Sequence, residues 1–313
     1  MTTFIERRLK NKGSSMIKRA LISVSDKTGL VELGKALKHF QVEIISTGGT
    51  AKTLNDAKVE TTSISDYTGF PEMMEGRLKT LHPRVHGALL GRRDNQAHQE
   101  EANTYGIQWI DLIVVNLYPF EKVAASKKKH DWKELVENID IGGPTMIRSA
   151  AKNHEYVTVV VDPKDYPRVI QRLKDNPQNP FDLEFRYARA VQAFKHTAIY
   201  DSIISQTLSQ YEFKEKEYIR HEFPKYHSIH GKLDKALRYG ENPQQKAAYY
   251  RMESPHEKSP LSKSLQGKDL SFNNMLDANA AWKTLAELPP LSTVMVKHNN
   301  PCGVGIGTNV HES

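Results

Sequence analysis

The 313-residue chain holds a single cysteine, Cys302, and no apolar run near the roughly 18 residues that a membrane span requires. One thiol excludes an internal disulfide framework and any multi-cysteine zinc site, and it suits a reducing cytoplasm. As a nucleophile Cys302 would need an activating base, so a buried structural thiol is expected. Residues 1–15 lack the apolar core of a secretory signal. They are basic and poor in acids, so organelle targeting is an alternative to the plainer reading, an N-terminal extension before Met16. A concentrated charge of one sign is also missing. Of the net +7, Arg7, Arg8, Lys10 and Lys12 against Glu6 supply +3, and only "KKKH" at 127–130 is a compact basic run. That run is expected to be a solvated loop, and neither nucleic acid nor membrane is expected as a partner.

With 38% hydrophobic and 26% charged residues, the chain reads as soluble and globular, in one large domain or two ordinary ones. "RALISVSD" (19–26), "VEIIST" (42–47), "VETTSIS" (59–65), "DLIVVNLY" (111–118) and "YVTVVVD" (156–162) read as strands. "GLVELGKALKHF" (29–40) between them has helical spacing. Strands so continuously apolar are buried on both faces, which predicts an α/β fold with a parallel sheet flanked by helices. "PKDYPRVIQRLKD" opens as a helix start, and residues 181–210 have the length of a long helix. No internal repeat is evident. Near residue 212 the pattern turns polar and aperiodic, as a linker or the entry to a second domain would. The domains expected are thus an extension (1–15), a first domain (16–212) and a short second one (213–313) that looks cut off in mid-fold. Within it, "STVMVKHNNPCG" is expected to present an unpaired strand edge.

Anion chemistry is suggested at several strand ends. "EIISTGGTAKTL" (43–54) runs from strand through Ser-Thr-Gly-Gly-Thr into helix. It is either a phosphate loop at a helix N-terminus or an ordinary glycine turn with Thr50 as cap. It is not a P-loop, whose spacing is absent. "SVSDKTG" (23–29) repeats the logic with two hydroxyls and Lys27, and ligands of open α/β sheets bind beyond such strand ends. "MMEGRLKTLHPRVHGALLGRR" (73–93) gathers Arg, Lys, Thr and two His. A zinc helix is excluded because Pro83 stands where H-E-x-x-H needs its Glu. "VVNLYPF" (114–120) sets Asn116 and Tyr118 at a strand end. "NIDIGGPTMIRSAAKNH" (138–154) adds Asp140, a Gly-Gly turn, and Thr145, Arg148 and Lys152 at a spacing that puts them on one helix face.

In order and spacing, "SVSDKTGL", "STGGTAKTL", "GFPEMMEGRLKTLHPRVHG", "NLYPF", "IDIGG" and "RSAAKNH" resemble the inosine monophosphate cyclohydrolase domain of the bifunctional purine biosynthesis family. The match runs over about residues 18–210. "LRYGENPQQ", "GKDLSFNNMLDANAAW" and "KHNNPCGVGIG" resemble the start of that family's folate-dependent formyltransferase domain. The resemblance implies a methylglyoxal-synthase-like fold followed by an incomplete, cytidine-deaminase-like α/β domain. It implies a cytoplasmic homodimer in de novo purine synthesis that closes the ring of 5-formamidoimidazole-4-carboxamide ribonucleotide with loss of water. No metal or cofactor is implied for that step, and 10-formyltetrahydrofolate is a co-substrate only of the second activity. By similarity, Ser23, Ser25, Lys27, Ser46, Thr47, Gly48, Gly49, Thr50, Arg77, Thr80, Asn116, Gly142 and Gly143 surround the nucleotide. Lys79, Tyr118, Asp140 and Lys152 are implied to be catalytic. The two lysines are expected to lie near one another and move protons, with Asn116 and the Gly142–Gly143 amides holding the oxyanion. Arg238, Tyr239, Lys297, His298 and Asn299 match formyl-transfer positions. Chains of the family continue far beyond residue 313, and Gln244 replaces a His common in the family, so loss of formyl transfer is expected. Two other readings stay open: a nucleotide-binding regulatory module, and a phosphosugar lyase of the same fold.

Overall fold

The structure is a computed structural model and describes residues 16–118, 120–124, 132–252, 266–309 and 311–313. The extension 1–15 and the basic run 127–130 lie outside the described residues. The chain divides into two compact units, Met1–His227 and Ser228–Ser313.

In the first unit the five Ile/Val-rich runs become β1 (Arg19–Val24), β2 (Glu43–Ser46), β3 (Thr62–Ser63), β4 (Leu112–Asn116) and β5 (Thr158–Val160). They pair in the order β3-β2-β1-β4-β5, every neighbouring pair parallel. Parallel neighbours need a crossover longer than a hairpin, and helices provide it. These are α1 (Leu30–His39), α2 (Gly48–Asp56), α3 (Ile64–Thr68), α4 (Pro83–Leu90), α5 (Gln96–Thr104), α6 (Phe120–Ala124), α7 (Trp132–Glu137) and α8 (Gly142–Lys152), followed after β5 by α9 (Tyr166–Asp175) and α10 (Leu183–Leu208). Side chains alternate across a sheet, so β1 sends Ala20, Ile22 and Val24 into one core and Leu21 into the other. The first core is closed by Leu33 and Leu37 of α1 and Val169 and Leu173 of α9. Val85 and Leu89 of α4, Met146 and Ile147 of α8 and Ala193 of α10 close the second. Both faces are covered, which is why all of β4, Leu-Ile-Val-Val-Asn, is buried. The expected parallel sheet forms, with strands shorter than the apolar runs that announce them.

The polar stretch after α10 is more ordered than a linker. Tyr211–Lys214 (β6) and Glu217–Arg220 (β7) pair as an antiparallel hairpin. Its turn residues, Glu215 and Lys216, have φ of 54° and 70°, the primed geometry usually given to Asn-Gly. The sequence therefore carries no turn signal there. Trp132 of α7 stacks on Tyr218 with ring centroids 4.0 Å apart and meets Tyr211 at 5.4 Å, so the hairpin is tied to the first unit.

Among the described residues, the second unit contains two hairpins and one helix. The hairpins are β8 (Gly231–Leu237) with β9 (Ala247–Met252) and β10 (Ser292–Lys297) with β11 (Asn300–Ile306); the helix is α11 (Phe272–Ala286). The run expected to offer an unpaired strand edge folds as the β10–β11 hairpin, turned by His298 and Asn299 at φ of 53° and 63°, and among the described residues each of its strands pairs on one side only. Cys302 is not buried as expected: it lies exposed on β11, its Sγ 3.5 Å from the Met295 carbonyl. Met275 is the one buried apolar side chain described in this unit, while Trp282, Met295, Val304 and Ile306 are all exposed.

Two histidines titrate against the fold. Burial pushes the imidazoles of His86 (α4) and His196 (α10) below their ordinary 6.5. Such groups leave stability whole above pH 6.5 and erode it as pH falls through their lowered values, because the unfolded chain then binds more protons. We expect the thermal unfolding midpoint to drop between about pH 7.5 and about pH 5. The drop should shrink in the double variant His86→Gln, His196→Gln; an unchanged profile would show that neither group is linked to folding.

Candidate active site

All strands of this sheet end on one edge, and the strand order reverses between β1 and β4, where a crevice opens in open α/β sheets. On its β2 side, hydroxyls stitch α2 to β1. Ser46 Oγ donates to the Ile22 carbonyl at 2.9 Å, and Ser23 Oγ lies 2.8 Å from Thr47 Oγ1. Thr50 Oγ1 accepts from Val24 N at 3.0 Å and donates to the Val24 carbonyl at 3.0 Å. Ser46, Thr47 and Thr50 are buried, so their role is to hold the loop, while Gly48, Gly49 and Lys27 are exposed. Gly48 has φ +37° and faces open space; a Cβ on Gly49 would stand 3.9 Å from Lys27 Nζ. The first N–H groups of α2 have no partner within the helix and carry the positive end of its dipole. Together with Lys27 they form a cradle for an anion.

At the centre of the edge sits Asn116, the last residue of β4. Its Oδ1 accepts from Ser25 N at 2.8 Å, Ser25 Oγ at 2.9 Å and Asp26 N at 2.9 Å, and its Nδ2 donates to the Asp26 carbonyl at 3.2 Å. Ser25 Oγ also reaches the Leu117 carbonyl at 2.8 Å. Asn116 and Ser25, expected at the substrate, are thus engaged in bracing β4 to the loop after β1.

On the β4 side a second cluster assembles around the N-terminus of α8. Residues 73–78 make a tight hairpin closed by a Met73–Leu78 bridge, with Met74, Glu75 and Gly76 all at positive φ. It leads into Lys79 and Thr80, and here the glycines are required by close approach. A Cβ on Gly142 would meet Thr80 Oγ1 at 2.6 Å, and one on Gly143 would meet Asp140 Oδ2 at 2.5 Å. Asp140 Oδ1 accepts from Gly143 N at 2.8 Å, and its carboxylate also accepts from the Tyr118 backbone. Burial raises the Asp140 pKa above the ordinary carboxylate range, opposed by those two amides and by the nearby charge of Lys79. The Tyr118 side chain is half exposed at the rim. Arg77 is paired with Glu137 of α7, an exposed ion pair.

The structure therefore brings Lys79, Thr80, Tyr118, Asp140, Gly142 and Gly143 together, with Lys27, Gly48 and Gly49 across the β1 end. It does not bring Lys152 to them. Lys152 ends an eleven-residue helix whose first residue is at the cluster, so it lies about 15 Å further along the axis, at the opposite sheet edge. The expected pairing of two lysines is not met within one chain. His82 and His86 also part: His82 Nδ1 accepts from Arg84 N and caps α4, while His86 Nδ1 lies 3.1 Å from Ser149 Oγ on α8. Two neighbours escaped sequence reasoning, Glu137 and Tyr200. The Tyr200 hydroxyl, on α10, accepts from Asp140 N at 2.8 Å across sixty residues of sequence, a contact that no spacing encodes.

In the second unit, the remaining expected residues flank the first half of α11. Arg238 N donates to the Leu270 carbonyl at 3.0 Å, and the Tyr239 carbonyl accepts from Phe272 N at 3.0 Å. Asp277 Oδ1 accepts from Asn299 N at 2.7 Å, which fixes the Lys297–Asn300 turn. Arg238, Lys297, His298 and Asn299 are exposed.

Comparison with known proteins places this geometry in context. Residues 29–145 match the model of the MGS-like domain, and residues 150–313 match that of the AICARFT/IMPCHase bienzyme. The bifunctional purine biosynthesis protein PurH of Bacillus cereus (strain B4264) is 48% identical over 299 residues, covering 95% of this chain and 57% of the relative. PurH of Bacillus cytotoxicus gives the same identity and coverage. The chain thus spans little more than half the length of these curated relatives. The crystal structure of ForH is 34% identical with a TM-score of 0.55, over 61% of this chain and 98% of that one.

The cradle makes a specific demand. Lys27→Ala should weaken binding of a phosphate-bearing ligand by about tenfold, the order expected for a charge-assisted contact. Thr50→Val should lower the unfolding midpoint, because it leaves Val24 N without its partner. Calorimetry with inorganic phosphate and thermal unfolding separate the two roles; equal binding by wild type and Lys27→Ala would remove Lys27 from the cradle.

Proposed function

The chain belongs to the AICARFT/IMPCHase bienzyme family, and on that premise we propose that residues 16–212 carry an inosine monophosphate cyclohydrolase of de novo purine biosynthesis. The observation that carries the reading is the convergence of Lys79, Asp140 and the N-terminus of α8 opposite the Lys27–Gly48–Gly49 cradle. The substrate, 5-formamidoimidazole-4-carboxamide ribonucleotide, would lay its phosphate in the cradle and its base along β1 towards Asp140. The carboxamide nitrogen attacks the formyl carbon, and the formyl oxygen becomes anionic. It departs as water, carrying one proton from each of the two nitrogens.

Each group has work in that step. The α8 N-terminus favours the oxyanion through its dipole and first amides. Asp140, held by two backbone N–H groups, orients Lys79, which moves the proton. Tyr118 and Thr80 bound the base, and Arg77, paired with Glu137, stands at the rim. Asn116 acts through Ser25 and Asp26, whose backbone amides its Oδ1 holds in place. Lys152, at the far end of α8, can take part only if a second copy of the chain brings it to the site, in keeping with a homodimer. The step needs neither metal nor cofactor. We read the location as cytoplasmic.

For the second unit we propose that Arg238, Tyr239, Lys297, His298 and Asn299 are formyl-transfer residues of the family, with 10-formyltetrahydrofolate as co-substrate. The 313-residue chain alone should not perform that transfer, since most of these residues are exposed and transfer to a weak nucleophile needs a site closed to water.

The reading is tested by turnover of the purified chain on the formylated ribonucleotide, followed by ultraviolet absorbance. Binding without ring closure would favour a regulatory module instead. Lys79→Ala should lower kcat by about 10²–10⁴-fold while KM moves little; a change in KM alone would make Lys79 a binding residue. Inactive Lys79→Ala and Lys152→Ala chains, mixed after reversible dissociation, should regain about a quarter of wild-type activity, since half the dimers are hybrids with one intact site of two. No regain would leave Lys152 outside the reaction.

A further inference from the structure

We infer that Tyr200 is a positioning residue that holds the Asp140 carboxylate in its working orientation from the opposite side of α8. Tyr200 belongs to the buried stripe Ala190, Ala193, Thr197, Tyr200 of α10, which follows helical spacing into the core beneath α8. The residue is 8% exposed, and its ring meets Phe120 edge-on with centroids 6.4 Å apart. A tyrosine so deep in an apolar stripe needs a partner for its hydroxyl, and the partners it finds are both in the segment before α8. The oxygen accepts from Asp140 N at 2.8 Å, and the hydroxyl points toward the Asn138 carbonyl at 3.5 Å.

That contact reaches the reacting groups through one residue. With its own amide pinned by Tyr200, Asp140 turns its carboxylate the other way, to Gly143 N, the Tyr118 amide and the charge of Lys79. The Asp140 backbone is thereby fixed from the core side and its carboxylate from the site side. A phenylalanine at 200 would fill the same space and leave the Asp140 N–H without its acceptor, so the segment could shift. The steric tightness recorded at Gly143, where a Cβ would meet the Asp140 carboxylate, leaves little room for a second good arrangement. Catalytic geometry tolerates such shifts poorly: about 1 Å can cost about 10²-fold.

The test compares Tyr200→Phe with Phe120→Leu, which loosens the same ring packing and keeps the hydroxyl. Native-state amide exchange should accelerate by about tenfold at Asp140, Gly143 and Tyr118 in Tyr200→Phe and not in Phe120→Leu. In the kinetic arm, kcat should fall by about tenfold in Tyr200→Phe with KM within about twofold, and Phe120→Leu should match wild type at equal folded fraction. Only this kinetic arm rests on the cyclohydrolase reading; if wild type turns nothing over, that reading fails while the exchange arm still decides the role of Tyr200. Unchanged exchange at Gly143 and Tyr118, or equal losses in the two variants, would overturn the inference. Should Tyr200→Phe not fold, the wild-type chain decides: an Asp140 amide exchanging as fast as an exposed loop amide would equally overturn it.

Discussion

The site depends first on one carboxamide. Asn116 terminates β4, a strand buried along its whole length, and receives three donors from the loop that follows its neighbour β1. A buried amide left unsatisfied costs about 1–3 kcal/mol, so its bonds hold two strand ends in a single register. Two of the segments that could meet a ligand are carried outward from that joint. Lys27 follows Asp26 on one side, and Leu117 and Tyr118 follow Asn116 on the other. The hydroxyls of Ser23, Thr47 and Thr50 extend the same stitching to α2. The outward-facing chemistry is thus left to glycine backbone, lysine and a carboxylate on a rigid frame.

The second constraint is the direction of α8. A helix that leads into a parallel strand must begin at the sheet edge where the previous strand ended, so its N-terminus joins the site and its C-terminus leaves it. Asp140, Gly142 and Gly143 fall at the productive end, and Lys152 falls at the other. A catalytic role for Lys152 therefore demands a second copy of the chain. The sequence pattern that puts Thr145, Arg148 and Lys152 on one face is correct about the face and silent about the edge.

Much of the fold was legible because its strands are buried twice over and so read as continuous Ile/Val runs; the long helix was legible from its length. The β6–β7 hairpin was not, since Glu215 and Lys216 occupy a turn usually marked by Asn-Gly. The β10–β11 pairing was hidden in the same way by His298 and Asn299. Within the site, residue type announced polar chemistry but not its direction. Asn116, Ser25 and Thr50 carry the groups a ligand would want, yet their partners are backbone atoms of neighbouring elements. Only the fold distinguishes a hydroxyl that holds a loop from one that holds a substrate. Tyr200 carried no signal in the sequence because its partner is sixty positions away. Cys302 followed the general preference of free thiols for burial in sequence and broke it in the structure, on a unit with little buried apolar surface of its own.

On the proposed reading, the crevice between the β1 and β4 ends holds a purine ribonucleotide with its phosphate on Gly48, Gly49 and Lys27 and its base at Asp140 and Lys79. A crystal structure of the chain with inosine monophosphate measures this directly. Phosphate density is expected within hydrogen-bonding distance of the Gly48 and Gly49 amides and of Lys27 Nζ, with the six-membered ring against Lys79 and the α8 N-terminus. Nucleotide density at the other sheet edge, or with phosphate and base exchanged between the two clusters, would contradict it.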